Sequence, residues 1–268
     1  MVVEGFAGTP LQLPKVWLHH SEKSSPRPSG VVCEVFPGEP NSKAESPSFS
    51  RDEPEAILDF VLDIVALQRK AMQPVGAVLV GGLSQRMGED KFLINYHGLP
   101  EYLRMFKMLK ASGLFSKVVL SGRLEQRALI EDPEAQNAFV ADAYSGIGPA
   151  GGILTLLEHS PGCAMLVAGC DYPNLSPKLI ELIVNQRNPF KPASLLKSAQ
   201  GHAETVLGIY EPAMRYAFHR MLLEKSSPQK ILAGLGVNYI DAKSAGLEPP
   251  ESLDTSSQQQ SFKAEKRN

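Results

Sequence analysis

A six-residue apolar run, Val75-Gly76-Ala77-Val78-Leu79-Val80, leads straight into Gly81-Gly82-Leu83-Ser84-Gln85-Arg86-Met87-Gly88-Glu89-Asp90-Lys91. A short apolar run without alternation suits a strand covered on both faces. Paired glycines directly after it let the backbone turn sharply and approach a ligand with no Cβ in the way. Successive N–H groups in such a turn can cradle an anion, and Arg86 and Lys91 add positive charge at the same lip. The spacing is neither that of a Walker loop, since no Gly-Lys-Ser/Thr follows, nor that of the dinucleotide fingerprint. On the residues alone, the string reads either as a cradle for a nucleoside triphosphate or as a tight turn with solvated charges.

Beyond this loop, strand-like and helix-like segments alternate. KVVLSG, AFVAD, AMLVAG, PASLLK, TVLGIY and VNYID have strand character; YLRMFKMLKASG, GPAGGILTLLEH, SPKLIELIVNQR and EPAMRYAFHRMLLEK have helical periodicity. Alternation of this kind predicts an α/β fold: three layers, a mainly parallel Rossmann-like sheet with helices on both faces. The first 50 or so residues are irregular and rich in Pro, Ser and Gly. A helix is predicted next, capped by Asp52 with Glu55 completing a capping box, and ended by Pro74. Residues 1–72 are therefore expected to be a small N-terminal appendage, 73–245 the main domain, and 246–268, rich in Ser, Gln, Glu and Pro, a flexible tail.

A net charge of −2 argues against a protein held to nucleic acid by bulk electrostatics. No apolar run reaches the roughly 18–20 residues of a membrane span, and the first residues have no secretory pattern. Three scattered cysteines, Cys33, Cys163 and Cys170, are too few for a disulfide framework or a zinc site. A cytoplasmic protein is expected, with no nucleic-acid or membrane partner. His19-His20 is read as a solvated loop pair.

Three further landmarks follow the glycine loop. Asp142 ends a strand, followed by Gly148-Pro149-Ala150-Gly151-Gly152 at a helix start. Asp171 ends a buried run within Gly169-Cys170-Asp171-Tyr172-Pro173, where open α/β sheets bind ligands. Glu204-Thr205-Val206-Leu207 opens a later strand. On the residues alone, Asp171 either anchors a metal beside a triphosphate or caps the helix near Ser176, and Asp142 either meets a ligand or closes a loop turn.

Together these strings resemble the molybdenum cofactor guanylyltransferase family of GT-A-like nucleotidyltransferases, over roughly residues 75–240. The resemblance implies a nucleotidyltransferase sheet and transfer of GMP from GTP onto Mo-molybdopterin with release of pyrophosphate. It implies Mg²⁺ as cofactor, held by Asp171. It implies Lys91, Arg86 and Asp171 as catalytic residues, and Leu79, Val80, Gly81, Gly82, Lys91, Asp142 and Asp171 around the nucleotide. Partners would be GTP, Mo-molybdopterin, and molybdoenzyme apoproteins or their chaperones. A cytidylyltransferase, another small-acceptor transferase, or a catalytically silent cofactor-binding protein stand as alternatives. The chain departs from the family where Asn and Arg usually follow the third strand, keeping only Arg123. It departs again at Ser252-Leu253-Asp254-Thr255-Ser256, which replaces an Asn-x-Asn-Thr-Pro motif.

The front of the chain carries a second resemblance. Val2-Val3-Glu4-Gly5-Phe6, Leu13-Pro14-Lys15-Val16 and the helix after Asp52 resemble the last third of the GTP-binding accessory partner of the guanylyltransferase. That protein's phosphate loop lies upstream of these strands, so the resemblance implies a truncated remnant that does not bind GTP by itself.

Overall fold

The computed structural model of the chain describes residues 15–19, 30–81, 90–224 and 228–253. The described residues divide into two units, one ending at Gln68 and the other beginning at Arg69. In the first, β1 (Lys15–Leu18), β2 (Val31–Phe36) and β3 (Ser48–Ser50) form a parallel sheet in the order β1-β2-β3. This stretch, expected to be irregular, has short strands between its Pro and Ser punctuators. Cys33 and Val35 of β2 are buried. His19 is half-buried, not solvated: its Nε2 lies 2.9 Å from Glu34 Oε2, and its ring stacks on Phe36. His20 lies outside the described residues.

The helix α1 spans Pro54–Ala71. It starts one position later than the Asp52 cap predicted, because Pro54 supplies a first helical residue that needs no N–H partner. The Asp52 N–H donates instead to Ser50 Oγ.

In the second unit, seven strands form one sheet: β4 (Val75–Leu79), β5 (Val118–Gly122), β6 (Phe139–Ala141), β7 (Met165–Gly169), β8 (Ala193–Lys197), β9 (Ala203–Tyr210) and β10 (Asn238–Ile240). Their order is β10-β8-β9-β7-β4-β5-β6, and only β9 runs antiparallel to its neighbours. The helices are α2 (Glu101–Ala111), α3 (Pro133–Asn137), α4 (Pro149–His159), α5 (Pro177–Asn185), α6 (Met214–Glu224) and α7 (Pro228–Gly234). The three-layer, mainly parallel α/β sheet expected from the alternation is what forms.

Why the strand runs lack alternation is now visible. Val78 and Val80 enter a core with Tyr102, Met105 and Leu109 of α2 and Ile180 of α5. Val75, Ala77 and Leu79 enter a second core, on the other face, with Leu154 of α4 and Phe218 of α6. Leu166 and Ala168 of β7 join the first core, and Met165 and Val167 the second. Successive side chains point to opposite faces, and both faces are apolar.

Part of the expected tail is packed within residues 246–253. Pro249, Pro250 and Leu253 are buried, and the Leu253 N–H donates to the Asp171 carbonyl at 2.9 Å. Among the described residues, no helix is long and apolar enough to cross a membrane.

Helix α4 comes unusually close to the loop before it. Gly148 turns the chain at φ +62°, a region that favours glycine. A Cβ on Gly151 would lie 2.3 Å from the Tyr144 carbonyl oxygen, whereas one on Gly152 would meet Leu79 and Asp142 atoms at 3.2 and 3.3 Å. Gly151→Ala is therefore expected to destabilise the protein by about 1–3 kcal/mol, and Gly152→Ala by less, as overpacking against a backbone atom relaxes poorly. Urea unfolding of the two variants checks the order.

Candidate functional site

Strand register assembles the site. Leu79 of β4 pairs with Ser121 of β5 on one side and with Gly169 of β7 on the other. The residues that follow, Val80-Gly81, Gly122-Arg123 and Cys170-Asp171, therefore emerge side by side at one rim. This rim is also a switch point. The chain runs outward from β4 to β5 and β6, then returns across β4 to β7, which opens a crevice at the strand ends. A cleft there is lined by Leu79, Val80, Gly81, Lys91, Asp171 and Val206, among others.

The cleft holds a cation and an anion in contact. Lys91 Nζ lies 3.1 Å from Asp171 Oδ1, both side chains partly exposed. Asp171 is not a helix cap, because Ser176 takes that place on α5, its Oγ accepting from the Leu179 N–H. Of the residues expected here, Leu79, Val80, Gly81, Lys91 and Asp171 are brought together. Gly82 and Arg86 lie outside the described residues.

The start of the glycine turn is tied down from β5. The Val80 N–H and Gly81 N–H both donate to the Ser121 carbonyl, at 2.8 and 3.3 Å. The fully buried Gln126 donates from Nε2 to the Val80 carbonyl and accepts from the Arg123 N–H. Arg123 itself pairs with Glu125 at 2.8 Å. Gly81 has no room for a side chain without crowding, since a Cβ there would sit 3.1 Å from Asp142 Oδ2.

That value also places Asp142 against the turn. Its Oδ1 accepts from Ser121 Oγ at 2.6 Å, and its N–H donates to the Gly122 carbonyl. Burial pushes the Asp142 carboxyl up from its ordinary 3.8, opposed by the Ser121 hydroxyl and the Arg123 charge. Neither Ser121 nor Gln126 was among the residues expected from sequence. Each acts through a contact to a residue remote in the chain, which no local pattern reveals.

The donor set bears on a metal. Among the described residues no group of three or more His, Cys, Asp and Glu side chains is placed to hold an ion. The described residues thus build no zinc-like or calcium-like cage. Mg²⁺ commonly binds through one or two carboxylates plus phosphate oxygens and water. A single aspartate at a cleft beside a cationic lysine fits an ion that arrives with a nucleotide.

Comparison with known proteins places the second unit in a family. The family model of the MobA-like NTP transferase domain matches residues 76–240, most of the second unit. The chain belongs to the MobA-like NTP transferase family. A probable molybdenum cofactor guanylyltransferase of Bacillus cytotoxicus is 28% identical over 176 residues, covering 65% of this chain and 86% of that protein. A second, from Thermococcus kodakarensis, is 34% identical over 142 residues, covering 53% of this chain and 68% of that protein. The crystal structure of molybdopterin-guanine dinucleotide biosynthesis protein A from Archaeoglobus fulgidus shares the fold, with a TM-score of 0.59 and 24% identity. The match covers 72% of this chain and 98% of that one.

The Asp142 shift sets a direction for stability. A carboxyl whose folded pKa is raised keeps its proton in the native state after the unfolded chain has lost it. Stability then falls as pH rises from 3.8 through the raised value, and the loss persists above it. Asp142→Asn removes that loss. It should be relatively more stable than the parent at about pH 7 than at about pH 3.5 in urea unfolding.

Proposed function

We propose that this chain is a cytoplasmic molybdenum cofactor guanylyltransferase: it moves GMP from GTP onto the terminal phosphate of Mo-molybdopterin and releases pyrophosphate. The observation that carries the reading is the Lys91–Asp171 pair, 3.1 Å apart in a strand-end cleft that begins at Gly81. The names of the relatives supply the substrate class. The product would pass to molybdoenzyme apoproteins or their chaperones.

The nucleophile is an anionic phosphate, so no covalent enzyme intermediate is needed. The terminal phosphate oxygen attacks the α-phosphorus of GTP, the bond to the bridging oxygen breaks, and pyrophosphate leaves with that electron pair. The main obstacle is repulsion between two polyanions, and the protein's task is to offset it with fixed positive charge and N–H groups. Lys91 would move its ammonium from Asp171 to the phosphates. Arg86 would add a second cation, and the main chain from Leu79 and Val80 through Gly81 and Gly82 would approach the nucleotide closely. Asp142, held by Ser121, would meet the nucleoside side. Asp171 would hold Mg²⁺, which when bound neutralises phosphate charge.

Lys91→Ala and Asp171→Ala are expected to melt near the parent temperature, because each removes one half of a partly exposed pair. Each should lose about 10²–10³ in turnover. Pyrophosphate release is measured with each nucleoside triphosphate, with and without Mo-molybdopterin. Release only with GTP and acceptor supports the reading. Release with CTP instead would make the chain a cytidylyltransferase, and near-parent rates in both variants would overturn the site.

A further inference from the structure

The loop that carries Asp171 is held by groups outside the cleft lining. Residues 171–175 form a short irregular turn between β7 and α5. Backbone carbonyls in such a turn need partners when they are buried. Here the partners come largely from the start of α2. Arg104 donates from one terminal nitrogen to the Leu175 carbonyl at 3.2 Å and from the other to the Tyr172 carbonyl at 3.3 Å. His97 Nε2 donates to the Pro173 carbonyl at 2.8 Å.

The guanidinium is aimed by Glu101. Arg104 Nε and its second terminal nitrogen meet the two Glu101 carboxylate oxygens at 2.8 and 2.5 Å. Glu101 has no exposed surface, and Arg104 is mostly buried. A planar fork with five N–H groups can grip a carboxylate along one edge and still donate to two carbonyls; an ammonium cannot hold all four at fixed angles. The same first turn of α2 also reaches the lysine side of the cleft. The Glu101 N–H donates to the Ile94 carbonyl, which directly follows the short helix beginning at Lys91. One helix start thus braces both members of the Lys91–Asp171 pair.

We propose that Arg104, oriented by Glu101, is a positioning residue that holds Asp171 in the geometry required for the metal-bound nucleotide. The inference rests on the guanylyltransferase reading above for the identity of that ligand. Neither Glu101 nor Arg104 lines the cleft. Remote supports of a metal-binding carboxylate commonly change metal affinity by about 10–100-fold when removed.

The test uses the full-length protein, GTP, and Mn²⁺ in place of Mg²⁺. GTP affinity is measured by calorimetry in excess chelator and across a Mn²⁺ titration, and thermal melting is recorded in parallel. Three proteins are compared with the parent: Arg104→Lys, the double variant Glu101→Gln/Arg104→Met, and Asp171→Asn as reference. The double variant avoids leaving a buried carboxylate unpaired. The expected result is that both Arg104 variants keep the parent's metal-free GTP affinity but need about 10–100-fold more Mn²⁺ for the metal-dependent gain, approaching Asp171→Asn. Arg104→Lys, which keeps the charge, should not restore the parent value. An unchanged Mn²⁺ midpoint in a folded variant would overturn the proposal, as would an equal loss of metal-free binding. If the parent itself shows no Mn²⁺-dependent gain, or Asp171→Asn retains it, the underlying site assignment fails instead.

Discussion

The register of β4 between β5 and β7 is the constraint on which the rest of the site depends. Leu79 has a partner on each side, so three strands end level with one another. A slip of one residue would turn every β4 side chain to the opposite face. That slip is opposed by two cores at once, because Val78 and Val80 fill one while Val75, Ala77 and Leu79 fill the other. The same packing that makes the strand buried fixes where the glycine turn begins.

From that fixed edge, the polar groups are arranged in two tiers. Lys91 and Asp171 face the cleft, where opposite charges can separate when a polyanion and a cation enter. Behind them, Ser121, Gln126, Glu101 and Arg104 are largely or wholly buried; Ser121, Gln126 and Arg104 donate to backbone carbonyls and carboxylates, and Glu101 accepts from Arg104. Buried polar groups of this kind are costly unless every partner is present, and when satisfied they hold one geometry. An ion pair left partly in water contributes little stability by comparison. The outer tier is therefore suited to exchange partners, and the inner tier to resist doing so.

Much of this was legible from sequence where the signal is local. Apolar runs such as Met165–Gly169 and helical periodicity such as Pro177–Asn185 gave the seven strands and four of the six helices of the second unit with only small shifts at their ends, while the short helices α3 and α7 were passed over. The glycine loop and the Asp171 turn stood out because glycine, cation and carboxylate sit next to strand ends. What sequence missed depends on distance along the chain. Leu253 reaching the Asp171 carbonyl spans 82 positions, and nothing in a Pro- and Ser-rich tail marks it as packed. Gln126 beneath Val80 is equally silent in the string. Glu101 and Arg104 are a partial exception, since their three-residue spacing places them together on a helix, though not against a loop 70 residues away. The strand Val31–Phe36 was passed over because short strands between turn residues leave a weak pattern.

The reversed strand sets one half of the rim apart. Because β9 runs against β7 and β8, it enters the rim through a tight hairpin, with the Ser198 N–H donating to the His202 carbonyl and Gly201 at φ +84°. Every parallel neighbour must instead return through a helix on one of the two faces. The half of the rim beside Glu204 is thus closed by a turn, tied to the Asp171 loop where the Tyr172 hydroxyl donates to Glu204 Oε2 at 2.6 Å, while the half built from β4, β5 and β7 rests on helical crossovers.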